Sequence, residues 1–305
     1  MMNEKVDVVI PMVFNGDRKW QSDFFKYTSQ QPDSTRWRDW GYGECQLDLI
    51  FWYMSWVNKV YIILSGETQR RPWMDRPYVK VVYHDDFIPS DYLPTFNCWT
   101  FEMFLHRIPG LSEHFIYFND DMFPLRRMEK KMFFDWRGEE YLPVFHPKFN
   151  NPTPPATFFQ KVCQNGMNLA AKAYNLDKIF DRWTYLWYGH GPNPMLRSEI
   201  EKFFEAHENE ICKSLTVVRD EKNLPQYLWL HILTMRGKYI DRQAYVLDYV
   251  ENLPSLKTMR WYLGHLLDYS GHILCFNDNV EASYTVEYRK AIHNFLVSKL
   301  SLDLD

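Results

Sequence analysis

Residues 95–123, TFNCWTFEMFLHRIPGLSEHFIYFNDDMF, constrain the fold of this chain more than any other stretch. The first half places apolar residues at helical spacing behind an asparagine N-cap and ahead of a Pro-Gly pair, which predicts a helix over residues 97–107. The run 115–118 is apolar, aromatic and β-branched, and such a run is typical of a strand buried on both faces. That strand ends at the polar triplet Asn119-Asp120-Asp121.

A buried strand that ends in charged residues opens its carboxyl end onto something polar. In open α/β sheets, ligands bind beyond these ends of the strands. Two carboxylates together suit a hard divalent cation that also meets substrate phosphates. Asp120 and Asp121 therefore favour a Mg²⁺ or Mn²⁺ site that serves a nucleotide diphosphate. A solvated turn is the alternative, because Asn and Asp are common turn residues.

Apolar runs alternate with helical patterns in the first half of the chain. Such alternation indicates an α/β fold with a mainly parallel sheet flanked by helices. Helical patterns dominate the second half, so a mainly helical part is expected over residues 151–305, forming one compact unit with residues 1–150. In addition to 115–118, strands are predicted over residues 6–13, 59–64, 79–83 and 272–279.

Residues 96–123 resemble the second conserved region of the Stealth family. Its members include bacterial capsular-polysaccharide phosphotransferases and animal N-acetylglucosamine-1-phosphotransferase. The shared pattern is phenylalanine-asparagine, a glutamate, leucine-histidine-arginine-isoleucine-proline-glycine-leucine-serine, a strand, and asparagine-aspartate-aspartate. Shorter resemblances to other regions of the family lie at residues 6–20, 38–44, 188–197, 216–220 and 272–279.

This resemblance implies a Rossmann-like (GT-A-like) sheet and the transfer of a sugar-1-phosphate. The donor would be a nucleotide diphosphosugar such as a UDP-sugar, and the acceptor a glycan hydroxyl that attacks at phosphorus. The reaction needs charge neutralisation on the diphosphate and help with the acceptor proton. The resemblance implies that Asp120, Asp121 and Asp278 hold the ion. His190 and Arg219, together with Asp121, would have the catalytic roles.

His190 and Arg219 also have a chemical rationale in the sequence. His190 lies between two glycines in YGHGPNP, and an exposed histidine titrates near neutrality, so it is a candidate general base. A structural histidine is the alternative. Arg219 is expected at the start of a helix near Leu224, where a guanidinium and free backbone donors could meet a phosphate.

Contacts to the donor are expected from polar residues of the first two regions. For Asn97 and Glu102 the alternatives are an N-cap and a charge on a helix surface, and for Arg38 a surface ion pair. The predicted donor-binding residues are Asp17, Arg38, Asn97, Glu102 and Asn119.

Composition limits the partners. A net charge of −4 without a stripe of Lys and Arg argues against nucleic acid. Five scattered cysteines are typical of a cytoplasmic protein with reduced thiols. The N-terminus lacks a signal-peptide pattern, and charged residues interrupt the most apolar window, 47–64. We therefore expect a cytoplasmic protein without a transmembrane segment. A lipid-linked acceptor and peripheral association with the inner face of the membrane stay open.

Two other functions also stay open. One is a metal-dependent glycosyltransferase of the GT-A type, since a strand that ends in carboxylates serves that chemistry too. The other is a non-catalytic carbohydrate-binding protein, which the aromatic content of 18% favours. A phosphotransferase would release UMP and a glycosyltransferase UDP, whereas a binding protein would need no metal.

Overall fold

A five-stranded sheet lies at the centre of the computed structural model, which describes residues 4–32, 37–151, 157–177, 184–250, 256–268, 271–277 and 285–301. The strands of the described chain are β1 Val6–Pro11, β2 Val60–Leu64, β3 Val79–Tyr83, β4 His114–Tyr117, β5 Met122–Pro124, β6 Phe134–Arg137, β7 Glu140–Phe145, β8 Lys148–Asn150, β9 Tyr185–Trp187, β10 Asn193–Leu196, β11 Ile240–Asp241, β12 Leu247–Val250 and β13 Ile273–Phe276. Short 3₁₀ turns connect several elements. The α-helices are α1 Arg18–Thr28, α2 Gly43–Tyr53, α3 Cys98–Phe101, α4 Phe158–Ala173, α5 Arg197–Ala206, α6 Glu208–Ser214, α7 Tyr227–Met235, α8 Leu256–Asp268 and α9 Thr285–Ser301.

The central sheet has the order β10-β4-β1-β2-β3. β1 pairs in parallel with both β2 and β4, β2 pairs in parallel with β3, and β10 is antiparallel to β4. Every residue of β2 and β4 is buried, which matches the apolar sequence of β2 and, after His114, of β4, because strands covered on both faces are mostly apolar. The predicted α/β fold with a mainly parallel sheet is confirmed.

Strands from the second half of the chain join sheets of the first half. β10 completes the central sheet, β11 pairs with β7, and β13 pairs with β5 while β12 pairs with β13. These strands have only two to four residues each, whereas helices α4 to α9 have seven to seventeen. The second half is therefore mainly helical, as predicted, but two of its strands pair beside residues 119–121, the acidic tip: β10 with β4 and β13 with β5.

A second apolar core holds α8 and α9 against α2. Leu49 of α2, Met259 of α8, and Ile292 and Leu296 of α9 are all buried in it. The Tyr53 hydroxyl donates a hydrogen bond to the backbone oxygen of Lys299 at 2.6 Å. No helix in the described ranges combines the length and the apolar character needed to cross a bilayer.

The helix predicted over residues 97–107 is only partly an α-helix. Asn97 caps α3 through its side chain, which accepts from the Trp99 backbone N–H at 3.1 Å, but α3 has four residues and continues as a 3₁₀ helix, Glu102–Arg107. The Trp229 indole donates to the backbone oxygen of Glu102 at 3.0 Å. In an α-helix that oxygen would accept from residue 106. The backbone oxygen of Glu102 therefore accepts a tertiary hydrogen bond, whereas in a regular α-helix it would accept from within the helix.

Candidate active site

A cleft of about 1000 Å³ opens at the carboxyl ends of β1 and β4. The chain runs from β1 through β2 to β3 on one side, and then returns to place β4 on the other side of β1. Such a reversal of strand order is where open α/β sheets bind ligands. Residues 12–14 after β1 and residues 119–121 after β4 line the cleft together. The sheet topology therefore brings the acidic tip to the edge at which open α/β sheets bind ligands.

The acidic tip presents two carboxylates with few protein partners. Asp120 is exposed to the cleft, yet surrounding protein removes part of its hydration, and this burial with the charge of Asp121 raises the pKa of Asp120 to about 7. Asp121 is partly exposed, and its Oδ1 is buried without a hydrogen-bond partner among the described residues. A buried carboxylate oxygen without a protein partner is costly, so this oxygen is available to a further donor or a cation.

His190 reaches the acidic tip from the loop between β9 and β10. Its Nε2 lies 3.7 Å from Oδ2 of Asp121 and 3.4 Å from Nδ2 of Asn119, and 30% of the side chain is exposed. Gly189 before it has φ +82°, a left-handed conformation that disfavours residues with a Cβ. The structure thus brings three of the predicted residues together.

Cys275 lies behind the acidic tip, and the sequence did not predict it among the site residues. Three potential ligand atoms lie within 4.8 Å of one another: a carboxylate oxygen of Asp121, a ring nitrogen of His190 and Sγ of Cys275. β13 carries Cys275 opposite Met122 of β5, and the Phe276 N–H donates to the Asp121 backbone oxygen at 2.8 Å. Burial raises the pKa of the Cys275 thiol, which keeps it protonated. The signal that could have found it is its position in the predicted strand 272–279.

Asp278, predicted as the third metal ligand, lies outside the described residues. The strand that precedes it does reach the acidic tip, since Asn277 lines the cleft and donates to the Tyr249 hydroxyl at 2.7 Å. Asp278 itself stays a prediction.

Glu102 lies in the wall of the cleft and has a complete set of partners. It is 3% exposed, and its carboxylate accepts from the Tyr117 hydroxyl at 2.8 Å and from the Gln226 backbone N–H at 3.0 Å. The Gln226 side chain in turn accepts from Asn193 Nδ2 at 3.0 Å. Burial outweighs these hydrogen bonds and raises the pKa of Glu102 to about 7. The alternative of a charge on a helix surface is wrong, because packing encloses the side chain.

Asn97 has internal partners beyond its role as N-cap. Its amide donates to Thr216 Oγ1 and to Asn223 Oδ1, both at 3.0 Å. Asn223 also donates to the Ser214 backbone oxygen at 2.6 Å. Asn97 therefore ties α3 to the segment 214–223 while it lines the cleft.

Arg219 lies in the cleft wall but not at the start of a helix. The expected helix is present, but α7 begins at Tyr227, eight residues after Arg219, so the placement of Arg219 at its start is wrong. Its guanidinium donates to Cys98 Sγ at 3.1 Å and lies 4.7 Å from the centre of the Trp99 ring. A hydrogen bond to Cys98 and a cation–π contact with Trp99, rather than a helix terminus, hold the cation in place.

Asp17 and Arg38 occupy different positions relative to the cleft. Asp17 caps α1 by accepting from the backbone N–H groups of Lys19 and Trp20, and it is not among the cleft-lining residues of the described chain. Arg38 does line the cleft, with its guanidinium 5.2 Å from the ring of Trp40. Of these two residues, only Arg38 stands where it could contact a ligand.

Aromatic rings form much of the remaining lining. They supply flat apolar faces on which bases or sugars can stack, between a small number of polar groups. Among these aromatic side chains are Trp20, Trp37, Phe96, Trp187, Tyr227 and Tyr249.

Comparison with known proteins extends the resemblance seen in the sequence. The family described as Stealth protein CR2, conserved region 2, matches residues 36–142. The capsular polysaccharide phosphotransferase LcbA of Neisseria meningitidis is 30% identical over 295 residues, covering 90% of this chain and 77% of that protein. The receptor polysaccharide phosphotransferase WefC of Streptococcus oralis is 27% identical over 269 residues, covering 77% of this chain and 80% of that protein. A crystal structure of the galactosyltransferase LgtC with donor and acceptor sugar analogs aligns with a TM-score of 0.45 and 10% identity, over 96% of this chain and 95% of that chain.

Proposed function

The chain belongs to the Stealth family of polysaccharide phosphotransferases, and from this premise we propose that it transfers a sugar-1-phosphate from a nucleotide diphosphosugar to a glycan hydroxyl. The donor is a UDP-sugar, and the product is a phosphodiester within a capsular or other surface polysaccharide. The acceptor oxygen forms a bond to the phosphorus that bears the sugar. The bond from that phosphorus to the bridging oxygen breaks, and UMP leaves with the electron pair.

The observation that supports this proposal most directly is the meeting of Asp121 and His190 in one cleft. They come from opposite halves of the sequence, and the cleft lies at the reversal of strand order where nucleotides bind in α/β sheets. Its volume of about 1000 Å³ is at the upper end for small-molecule sites, as needed for a nucleotide sugar together with an acceptor.

A divalent cation, Mg²⁺ or Mn²⁺, would be held by Asp120 and Asp121, with Asp278 as a third carboxylate. The residues fit such an ion, because two neighbouring carboxylates offer hard oxygen donors and one buried oxygen has no partner in the described chain. When bound, the ion would neutralise negative charge on the diphosphate.

His190 would take the acceptor proton on Nε2. This nitrogen is the one that faces the acidic tip, and the exposed part of the ring lets an acceptor approach. The neighbouring carboxylate of Asp121 would stabilise the imidazolium that forms. Arg219 would bind phosphate oxygens of the donor, because its guanidinium lies on the cleft wall against the face of Trp99.

Product analysis tests this function. The protein is incubated with a panel of UDP-sugars, oligosaccharide acceptors and Mg²⁺ or Mn²⁺, and nucleotides are separated by chromatography. We expect UMP to accumulate with an acceptor-linked phosphodiester, and Asp91→Asn, which alters an exposed carboxylate on a 3₁₀ turn, to behave like the parent protein. UDP as the only product would establish the glycosyltransferase alternative, and saturable sugar binding without turnover would establish the binding protein.

A further inference from the structure

Helices α8 and α9 share an exposed face that the described chain does not cover. On both helices the exposed residues recur at i, i+3, i+4, i+7 and i+8, which places them on one stripe of each helix. The two helices pack against each other, and their buried residues face the second core. We call this surface the α8–α9 face. It consists of Lys257, Arg260, Trp261, Gly264 and His265 on α8, and of Val286, Arg289, Lys290, His293, Asn294 and Val297 on α9.

The α8–α9 face is cationic on a chain that is acidic overall. Among the exposed side chains described on the two helices, Lys257, Arg260, Arg289 and Lys290 are positive and Glu287 is the one carboxylate. The whole chain has a net charge of −4. The positive charge is therefore a local feature of this face, and it complements an anionic surface.

Large apolar side chains stand among these cations. Trp261 is 62% exposed and Val286 is 75% exposed, and the Trp261 ring packs against His265 in a tilted arrangement with centroids 4.4 Å apart. Tryptophan surrounded by Lys and Arg is typical of helices that lie at a membrane surface, where the ring enters the interface and the cations meet headgroups.

A groove of about 420 Å³ runs between the two helices. Arg260 and Lys290 line it together with the apolar residues Leu263 and Phe295. Gly264 adds room, because a Cβ at this position would meet no atom within 4 Å. A phospholipid complements such a groove, because its headgroup phosphate can contact the cations and its hydrocarbon the apolar side chains.

We propose that the α8–α9 face docks the protein on an anionic phospholipid surface. Headgroup phosphates bind Arg260 and Lys290, while Trp261 and Val286 enter the interface between headgroups and acyl chains. A second copy of the chain is a poorer partner, because a symmetric contact would oppose the same cations across the interface. A lipid surface matches both the spread of charge over two helices and the exposed apolar side chains.

The docking surface lies beside the cleft. The Tyr42 hydroxyl donates to the backbone oxygen of Arg289 at 2.9 Å, and both Tyr42 and Trp40 line the cleft. Docking through α9 therefore brings a wall of the cleft near the lipid headgroups. An acceptor anchored in the membrane would then have a short path to the cleft.

Vesicle binding tests the proposal without use of any transfer reaction. The full chain is sedimented with vesicles of phosphatidylcholine containing phosphatidylglycerol, and separately with vesicles of phosphatidylcholine alone, at low and physiological salt. We expect binding to the anionic vesicles that weakens with salt, and a loss of affinity of roughly tenfold or more in Arg260→Glu/Lys290→Glu. The matched control is Lys148→Glu/Lys213→Glu, which makes the same change in net charge at exposed lysines of β8 and α6 and should bind like the parent.

Further measurements distinguish a lipid surface from a second copy of the chain as the partner of the α8–α9 face. Trp261→Ala should weaken binding to anionic vesicles several-fold and leave thermal unfolding unchanged, since the ring is mostly exposed. Equal binding by Arg260→Glu/Lys290→Glu and the parent, or equal binding to neutral and anionic vesicles, would overturn the proposal. A dimer seen by sedimentation velocity without vesicles and dissociated by Trp261→Ala would assign the face to a second copy. UMP release in solution is measured separately, so failure of the docking proposal and failure of the proposed function are distinguishable.

Discussion

Two groups of polar residues in the same cleft differ in how fully the protein satisfies them. At the acidic tip, Asp121 keeps a buried oxygen without a partner among the described residues, and His190 meets its neighbours at 3.4 Å and 3.7 Å. Asn97 and Glu102, by contrast, form hydrogen bonds of 2.8–3.0 Å with partners in other elements of the chain. We call the first group the open group and the second the satisfied group.

The difference indicates which residues meet a ligand and which maintain the cleft. A buried polar atom without a partner lowers the free energy of unfolding, so retaining one suggests that a ligand completes its contacts. A satisfied group has little capacity for a further hydrogen bond, and its removal breaks contacts within the protein. Substitutions in the open group should therefore change turnover, and those in the satisfied group should change stability.

The largest effect is expected for Asp121→Ala. Loss of this carboxylate should lower turnover by roughly 10³-fold. Asp121 would no longer help to hold the cation that neutralises the diphosphate, nor stabilise the imidazolium of His190. Thermal stability should stay equal or rise, since the substitution removes a buried oxygen without a partner. Activity and melting temperature are measured on one preparation, with Asp91→Ala as the exposed control. Excess chelator should stop turnover of the parent protein, and full activity in chelator would contradict the metal assignment.

His190→Ala should have the next largest effect. If the imidazole takes the acceptor proton, kcat should fall by roughly 10²–10⁴-fold while donor binding changes little. His190→Gln is the matched variant, because it keeps a polar side chain of similar reach that cannot act as a base. A folded His190→Ala protein with normal kcat would place the base elsewhere, whereas a loss of soluble, folded protein would make His190 structural.

Asn97→Ala should mainly reduce stability. It removes the N-cap of α3 and two further hydrogen bonds, to Thr216 Oγ1 and Asn223 Oδ1, so the free energy of unfolding should fall by roughly 2–4 kcal/mol. Asn97→Asp separates the two contributions, since it keeps the cap acceptor and loses the donor. Urea unfolding measures both variants. A stable Asn97→Ala protein with impaired donor binding would move Asn97 into the open group.

The sequence predicts the open group better than the satisfied group, for a physical reason. Asp120 and Asp121 follow an apolar run, and His190 lies between glycines, so local patterns reveal both. The contacts of Glu102 with Tyr117, Gln226 and Trp229 join residues 15, 124 and 127 positions apart, and no local pattern encodes them.

The fold shows the same distinction between local and distant determinants. The apolar runs of β2, β3 and β4 are detectable in the sequence, and the structure has strands there. The position of Cys275 behind Asp121 depends on the register between β13 and β5, which lie about 150 residues apart and pair through tertiary structure. The 3₁₀ segment Glu102–Arg107 likewise has a distant partner, since the backbone oxygen of Glu102 accepts from the indole of Trp229.

The smallest effect is expected for Glu102→Gln, which probes the satisfied group through pH. Burial raises the pKa of Glu102 to about 7 from its ordinary value of 4.5, so the folded protein binds a proton that the unfolded chain releases at lower pH. The contribution of Glu102 to stability is therefore full below about pH 4.5 and declines as pH rises to about 7 and beyond. Between pH 6 and 8 the parent should lose about 1 kcal/mol relative to Glu102→Gln, which cannot ionise.

Urea unfolding of the parent and Glu102→Gln at several pH values measures the contribution of Glu102 ionisation to the free energy of unfolding, because every other ionisable group is common to both proteins. Tyr117→Phe is the matched variant, since it removes the hydroxyl that donates to the carboxylate and should raise the pKa of Glu102 further. That shift would move the loss of stability to higher pH. If the difference between parent and Glu102→Gln did not vary with pH while kcat of Glu102→Gln collapsed, Glu102 would act on a ligand, and the division between open and satisfied groups would fail at this residue.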